Sequence, residues 1–332
     1  MRQPTLEEVA AAAGVSKMTA SRALRGAADV SAESVAKVRA AAERLGYVGN
    51  RLALSLSARR TNLVSVVVPS MSNIVFPEVV SGITLGLEGS GLQAVFGISD
   101  YDPDKEREVI RNMLSWRPAA LIITGLDQPE ETLALLRHID IPVIQLMDLD
   151  GEPLDFNIGL SHHAAGAAMG RALIAAGRRR FGYIGSMLGR DLRAAKRREG
   201  FAEALRDKGL EWITSSIAPD ASSALLGKQL TGALLAGGRD IDCLYYSNDD
   251  MAAGGLFACM ELGISVPSDI LIAGFNGLDL ADALPVQIAT SRSPRRQMGE
   301  AAAHLVRRVL KDGREGVERV IAFTPDIVLG NG

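Results

Sequence analysis

The chain has 332 residues, with 36 Lys and Arg against 39 Asp and Glu for a net charge of −3; 47% of it is hydrophobic and 5% aromatic. This is roughly two to three domains' worth of ordinary globular sequence, which excludes a disordered, collagenous or disulfide-built protein. Residues 1–60 hold ten basic and five acidic side chains, while the other 272 carry a net −8. That asymmetry belongs to a head that meets a polyanion and a body that stays off it.

The opening MRQPTLEEVAAAAGVS lacks a basic segment followed by an unbroken apolar run, so no signal peptide is expected. No window approaches the ~18 apolar residues of a spanning helix, and the expected location is the cytoplasm, with no membrane partner. Cys243 and Cys259 fall in apolar segments and read as buried thiols.

Residues 1–48 read as three short helices. Thr5 and Glu8 have capping-box spacing, Leu6, Val9, Ala10 and Ala13 share one face, and Gly14 stops the helix. Ser16 caps a second helix, Lys17–Arg25, with Ala20, Ala23 and Leu24 inward. Ser31 caps a third, with Val35, Val38, Ala42 and Leu45 inward and Gly46 at its end.

From Leu63 the pattern changes to short apolar runs alternating with helical ones. The expected strands are Leu63–Pro69, Leu92–Ile98, Ala119–Thr124, Val143–Met147, Phe181–Ile184, Cys243–Ser247 and Ile270–Phe275. The expected helices are Phe76–Gly89, Asp104–Trp116, Pro129–His138, Ala164–Ala176, Arg193–Gly209, Ser222–Ala236, Met251–Leu262 and Arg295–Lys311. This is doubly wound α/β sequence, and it holds too many units for one sheet. Two lobes are therefore expected, with a small-molecule cleft at the carboxyl ends of their strands.

The helix, glycine turn and helix of residues 5–25 have the plan of a helix-turn-helix. Its second helix would enter the major groove N-terminus first, presenting Lys17, Met18 and Arg22. Arg22 can offer paired donors to guanine, and Met18 an apolar contact to a base edge. Thr5, Ser16, Thr19, Ser21 and Ser31 are hydroxyls near helix starts, suited to phosphate or, alternatively, to capping alone.

These residues carry a resemblance. TLEEVAAAAGVSKMTASRALRG and VSAESVAKVRAAAERLGYVGNRLALSL resemble the N-terminal region of the LacI/GalR family of bacterial transcription regulators, and PSMSNIVF, AALIITG, IPVIQLMD, YSNDDMAAGG and AGFNG continue the likeness through the body. The resemblance implies three parts: residues 1–48 as helix-turn-helix head, 49–61 as hinge helix and linker, and 62–332 as a two-lobed body of periplasmic-binding-protein type that binds an effector and dimerises. In the hinge, Asn50 and Arg51 would approach DNA and Leu56, with Ala53 one turn before it, would wedge into the central minor groove. The implied partners are double-stranded, pseudo-palindromic operator DNA and a second copy of the chain. No apolar heptads follow Asp326, so assembly beyond a homodimer is not expected.

In the body, the resemblance assigns effector contacts to Ser70, Asn73, Phe76, Val79, Asp148, His162, Arg197, Asn248 and Asn276. The asparagines could instead be turn residues, and Arg197 a solvated helix charge. Two departures from the family pattern matter: Asn276 and His162 stand where an Asp is usual, and each removes a negative charge. Loss of a buried carboxylate favours an anionic ligand, with Arg197 and Arg292 as counter-charge. Together with KMTASRALR, MLSW and SPRRQMG, this resembles the branch of gluconate-operon repressors, which implies gluconate or a close sugar acid, free or phosphorylated, as effector; the alternative is a neutral or phosphorylated sugar.

Nothing in the body reads as an active site. His138, His162, His163 and His304 lack metal-ligand spacing, Gly86, Gly89 and Gly91 follow a helix rather than a strand, and neither a cofactor nor a metal is expected. A solute-binding protein would share the two-lobed body, and an α/β enzyme could carry a fused head. Residues 1–60 and the missing signal peptide argue against the first.

Overall fold

The computed structural model describes residues 4–24, 27, 29–47, 61–238 and 240–330. The chain divides into two compact units, Met1–Thr61 and Asn62–Gly332.

In the first unit, α1 (Leu6–Ala13), α2 (Lys17–Leu24) and α3 (Ala32–Leu45) enclose a small core of Val9, Ala10, Ala20, Ala23, Val38, Ala41 and Ala42. The Thr5–Glu8 capping box forms, and Gly14 and Gly46 end their helices at φ of 68° and 65°. Ser16 and Ser31 accept hydrogen bonds from the backbone N–H groups of Thr19 and Ser34. Leu45, expected inward, is exposed, and Ala41 occupies the core instead.

The second unit contains two parallel sheets. The first lobe is built on β1 (Leu63–Val68), β2 (Gln93–Ile98), β3 (Ala120–Thr124), β4 (Val143–Leu146), β5 (Phe156–Gly159) and β11 (Val320–Ala322), in the order β11-β5-β4-β3-β1-β2. Its helices are α4 (Val75–Leu87), α5 (Pro103–Ser115), α6 (Glu130–Arg137) and α12 (Arg295–Asp312). The second lobe has β6 (Phe181–Ser186), β7 (Trp212–Ala218), β8 (Cys243–Tyr246) and β9 (Leu271–Ala273), ordered β7-β6-β8-β9. Around it lie α7 (His162–Ala175), α8 (Leu192–Arg206), α9 (Ala224–Ala236), α10 (Asp249–Glu261) and the short α11 (Asp279–Ala283). An antiparallel pair, β10 (Thr290–Arg292) with β12 (Asp326–Val328), lies beside this sheet. The chain therefore crosses between lobes three times, after β5, after β10 and after β11.

All seven expected strands form, but five further ones do. β7 is an edge strand whose exposure alternates, so it lacks the continuous apolar run of a strand covered on both faces. β10, β11 and β12 have three residues each, too few for a period to register. Two helices start earlier than their apolar pattern because a polar cap precedes it. Ser161 accepts from the Ala164 N–H at 2.9 Å, and Asn248 from the Met251 N–H at 3.0 Å. Cys243 and Cys259 are buried and unpaired. Among the described residues, no helix is long and apolar enough to cross a membrane.

Candidate functional site

Met18 on α2 is 70% exposed, unusual for so large an apolar side chain, and Lys17 beside it is exposed as well. Lys17 pairs with Glu7, and Arg22 with Asp29. Both cations are thus held by surface carboxylates that phosphate or a base edge can replace at little cost, because exposed ion pairs contribute little. Ser16 Oγ lies 2.8 Å from Thr19 Oγ1 and accepts from the Thr19 N–H, so it caps α2 at its N-terminus. Thr5 caps α1 and Ser31 caps α3, and Ser21 lies half-buried on α2. The expected hinge contacts Asn50, Arg51, Ala53 and Leu56 lie outside the described residues.

In the body, Arg197 of α8 is buried and forms the centre of a relay between lobes. One terminal nitrogen lies 2.9 Å from His162 Nδ1, and the other donates to the Ser247 carbonyl at 2.9 Å. The guanidinium stacks 4.1 Å from the centre of the Phe275 ring. His162 Nε2 lies 2.8 Å from the Met147 carbonyl at the end of β4. A carbonyl only accepts and a guanidinium only donates, which fixes the ring as neutral with its proton on Nε2. Burial, then the positive charge of Arg197, drives the imidazole well below its ordinary pKa, in agreement with that tautomer.

A second bridge leaves the same helix. Lys196 donates to Asp148 at 2.6 Å and to Asp127 at 2.9 Å, and its ammonium is 3.4 Å from the Asp150 carbonyl. Asp148 is fully buried, and burial raises its carboxyl above the usual range despite Lys196. Burial alone would lower Lys196, but its bonds to Asp148 and Asp127 outweigh this and raise it. Arg193, one turn earlier, reaches across to the first lobe. Its guanidinium lies 5.8 Å from the Phe76 ring centre, and a methyl group at Gly125 would stand 3.3 Å from its Nη1. Gly125 also has φ of 84°, the left-handed region that favours glycine.

Two cavities open between the lobes. One, of about 240 Å³, is lined by Ser70, Asn73, Tyr101, Ser186, Asp191 and Asp250 among others. The other, of about 340 Å³, includes Tyr101, Glu106, Asp127, Gln128, Arg190 and Arg193. Burial pushes Glu106 up to about 7. Tyr101, common to both cavities, packs edge-on against Phe76 at 6.3 Å.

The residues expected to bind effector therefore occupy different places. Ser70 and Asn73 line a cavity, while Phe76 supports Tyr101 and faces Arg193. Asp148, His162 and Arg197 join the bridges. Asn248 caps α10. Asn276 holds a buried, positive-φ position of 116°, and its carbonyl accepts from Arg295. Val79 lies in the first-lobe core with Ile83 and Met298. Arg292 pairs with Asp282 at 2.5 Å on a half-exposed surface, so its charge is already matched there.

Arg193 and Lys196 were absent from the sequence expectations. Their signal was present in D191-L-R-A-A-K-R197, where positions 193, 196 and 197 share one face by i, i+3, i+4 spacing. Three cations at that spacing repel one another on a solvated helix; here Arg193 and Lys196 cross to the first lobe while Arg197 is held inside the second by His162 and the Ser247 carbonyl.

A helix-turn-helix head with an exposed recognition surface, carried on a two-lobed body with cations at its cleft, defines a ligand-responsive DNA-binding regulator. Comparison with known proteins agrees over both parts. Residues 5–50 match the model of bacterial regulatory proteins of the lacI family, and residues 61–325 match that of periplasmic binding proteins and the sugar binding domain of the LacI family. The chain belongs to the LacI family. It is 40% identical to the HTH-type transcriptional regulator GntR of Pseudomonas aeruginosa, over 91% of this chain and 88% of that one. A LacI family transcriptional regulator from Silicibacter pomeroyi, solved by crystallography, is 45% identical with a TM-score of 0.94, covering 98% of both chains. The lac repressor dimer bound to operator has the same fold, with a TM-score of 0.85 at 24% identity over 99% of this chain and 98% of that one.

Proposed function

We propose that the protein is a homodimeric repressor whose hold on a pseudo-palindromic operator is released by a sugar acid, gluconate or a close relative, bound between the lobes of its body. Residues 1–48 read the half-site, 49–61 form the hinge and 62–332 sense the effector. The observation that carries the effector class is the cationic face of α8, where Arg193 and Lys196 reach the first lobe and Arg197 is tied to it through His162. A neutral sugar needs hydroxyl-bonding groups; three buried or half-buried cations are warranted when the ligand brings negative charge. The two positions that carry His162 and Asn276 in place of the family's usual Asp support the same reading. Likeness to the P. aeruginosa regulator GntR over nine-tenths of the chain supports the branch.

In this reading Lys17, Met18 and Arg22 meet base edges, and Thr5, Ser16, Thr19, Ser21 and Ser31 meet phosphate or cap. Leu56 from each protomer wedges at the operator centre, flanked by Asn50, Arg51 and Ala53. Effector favours one arrangement of the lobes, and differential affinity for the two arrangements sets operator occupancy. The test is an operator mobility shift with and without gluconate: gluconate should release the DNA, and a complex indifferent to every sugar acid would defeat the effector class. Leu56→Ala should reduce bending at the central step, and unchanged bending would count against the wedge.

A further inference from the structure

Lys196 has three N–H groups and three partners, all on the first lobe: the carboxylates of Asp148 and Asp127 and the Asp150 carbonyl. The two carboxylates are not equivalent. Asp148 is fully buried, whereas the Asp127 side chain is about one-third exposed. Removing the partner of a buried carboxylate is costly, but an exposed one is received by water. Asp127 also lines the larger interlobe cavity, on the side where Arg193 enters. A carboxylate standing in that cavity where Asp127 now stands would be within reach of Lys196 and close to Arg193.

We infer that Asp127 is a built-in stand-in for the effector's carboxylate: it occupies Lys196 in the unliganded body, and the incoming acid displaces it. This rests on the sugar-acid reading above and adds the residues that discriminate acid from neutral sugar. The exchange replaces one carboxylate by another at the same ammonium, so it is nearly balanced for an acid. A hydroxyl in the same place leaves Lys196 short of an anion, so a neutral sugar of the same shape is disfavoured. Displacement also removes one of the lobe-to-lobe bonds made by α8, which couples ligand chemistry to the seating of the lobes. The Arg197–His162–Met147 relay does not pass through Asp127 and stays in place.

Calorimetric titration of the full chain with gluconate and with its neutral isostere gluconamide separates the possibilities. The wild type should prefer gluconate. Asp127→Asn, a change at a part-exposed position, should bind gluconate about tenfold tighter, because the internal competitor is gone. Lys196→Met should lose the preference for gluconate over gluconamide, and Lys196→Arg should restore most of it. Thermal melts confirm that each variant is folded. A wild type that prefers gluconate, with Asp127→Asn binding it no tighter or Lys196→Met keeping the preference, overturns the stand-in role alone. A wild type that binds neutral sugars and no sugar acid overturns the effector class, and this inference with it.

Discussion

At His162 the hydrogen-bond partners leave a single protonation state, and a pH dependence follows. The unfolded ring takes a proton below about pH 6.5, while the buried ring beside Arg197 does not. The unfolded state therefore binds more protons as pH falls, and folding stability declines from that point downward by about 1.4 kcal/mol per pH unit for this one group. Glu106 and Asp249, raised to about 7 and about 6 by burial, act in the opposite sense because the folded carboxyl is protonated first. Comparison with His162→Gln isolates the ring. Measured by denaturant unfolding between pH 8 and 5, the advantage of the wild type over His162→Gln should shrink on acidification; a constant gap would mean that the ring protonates in the folded body. On α2, Arg22→Ala should weaken specific operator binding by ~1–3 kcal/mol and leave weak non-specific binding, read by competition mobility shift. How much of this was readable residue by residue varies. Arg197 and His162 were found through motif position, since their burial depends on contacts from β4, α7 and β8 that no local pattern reveals. Lys196 and Arg193 were missed because a charge within a polar helix looks solvated until the opposite lobe is placed against it. The resemblance places Val79 at the cleft, yet it lies on the same helix face as Phe76 and one turn deeper, packed in the first-lobe core.

Three helix pairs in the body repeat one device. In α4 and α12, a methyl at Gly82 would collide with the Arg296 carbonyl, and one at Gly299 with that of Val79. In α7 and α8 the same holds for Gly166 against Arg197 and Gly200 against His163, and in α9 and α10 for Gly227 against Met251 and Gly254 against Ala224. Each pair thus meets backbone to backbone at a reciprocal glycine crossing, closer than side chains permit. Gly200→Ala should lower body stability by roughly 1–3 kcal/mol in thermal or denaturant unfolding. It should also weaken gluconate binding in the folded fraction, because α8 carries Arg193, Lys196 and Arg197; full binding by a folded Gly200→Ala body would show that the crossing does not set the cation positions. These crossings escape a reading based on hydrophobic period, which registers the inward face but not its depth. The long helices are readable for the converse reason: their apolar stripes are long, and two of them lose only a first turn to the caps Ser161 and Asn248, whereas the five-residue α11 carries no stripe and goes unseen. β10 to β12 are three residues each and, unlike β9, lie outside the strand–helix alternation, so they emerge only from pairing.

Across the whole molecule, opposite charge on head and body makes DNA association sensitive to salt. Operator affinity should fall about a thousandfold or more between 50 and 200 mM salt for a dimer touching six or more phosphates, and a shallow slope in a salt titration would contradict a phosphate-anchored head. The two-lobed plan was readable from alternation, and the crossings were not, because a crossing is defined by which sheet a short strand joins. Those crossings govern how the chain is made as well as how it moves. The first lobe's sheet lacks its β11 edge until residues 320–322 emerge from the ribosome, about half the chain after β5, and β10 waits for β12 at 326–328. Contacts that distant in sequence slow folding and keep sheet edges open during synthesis. The three helices of the head, whose longest-range contacts join α1 to α3, are complete after fewer than fifty residues. A nascent chain therefore carries a folded head long before it has a sensor able to restrain it, and loss of the chain from Val320 onward would leave both lobes unfinished.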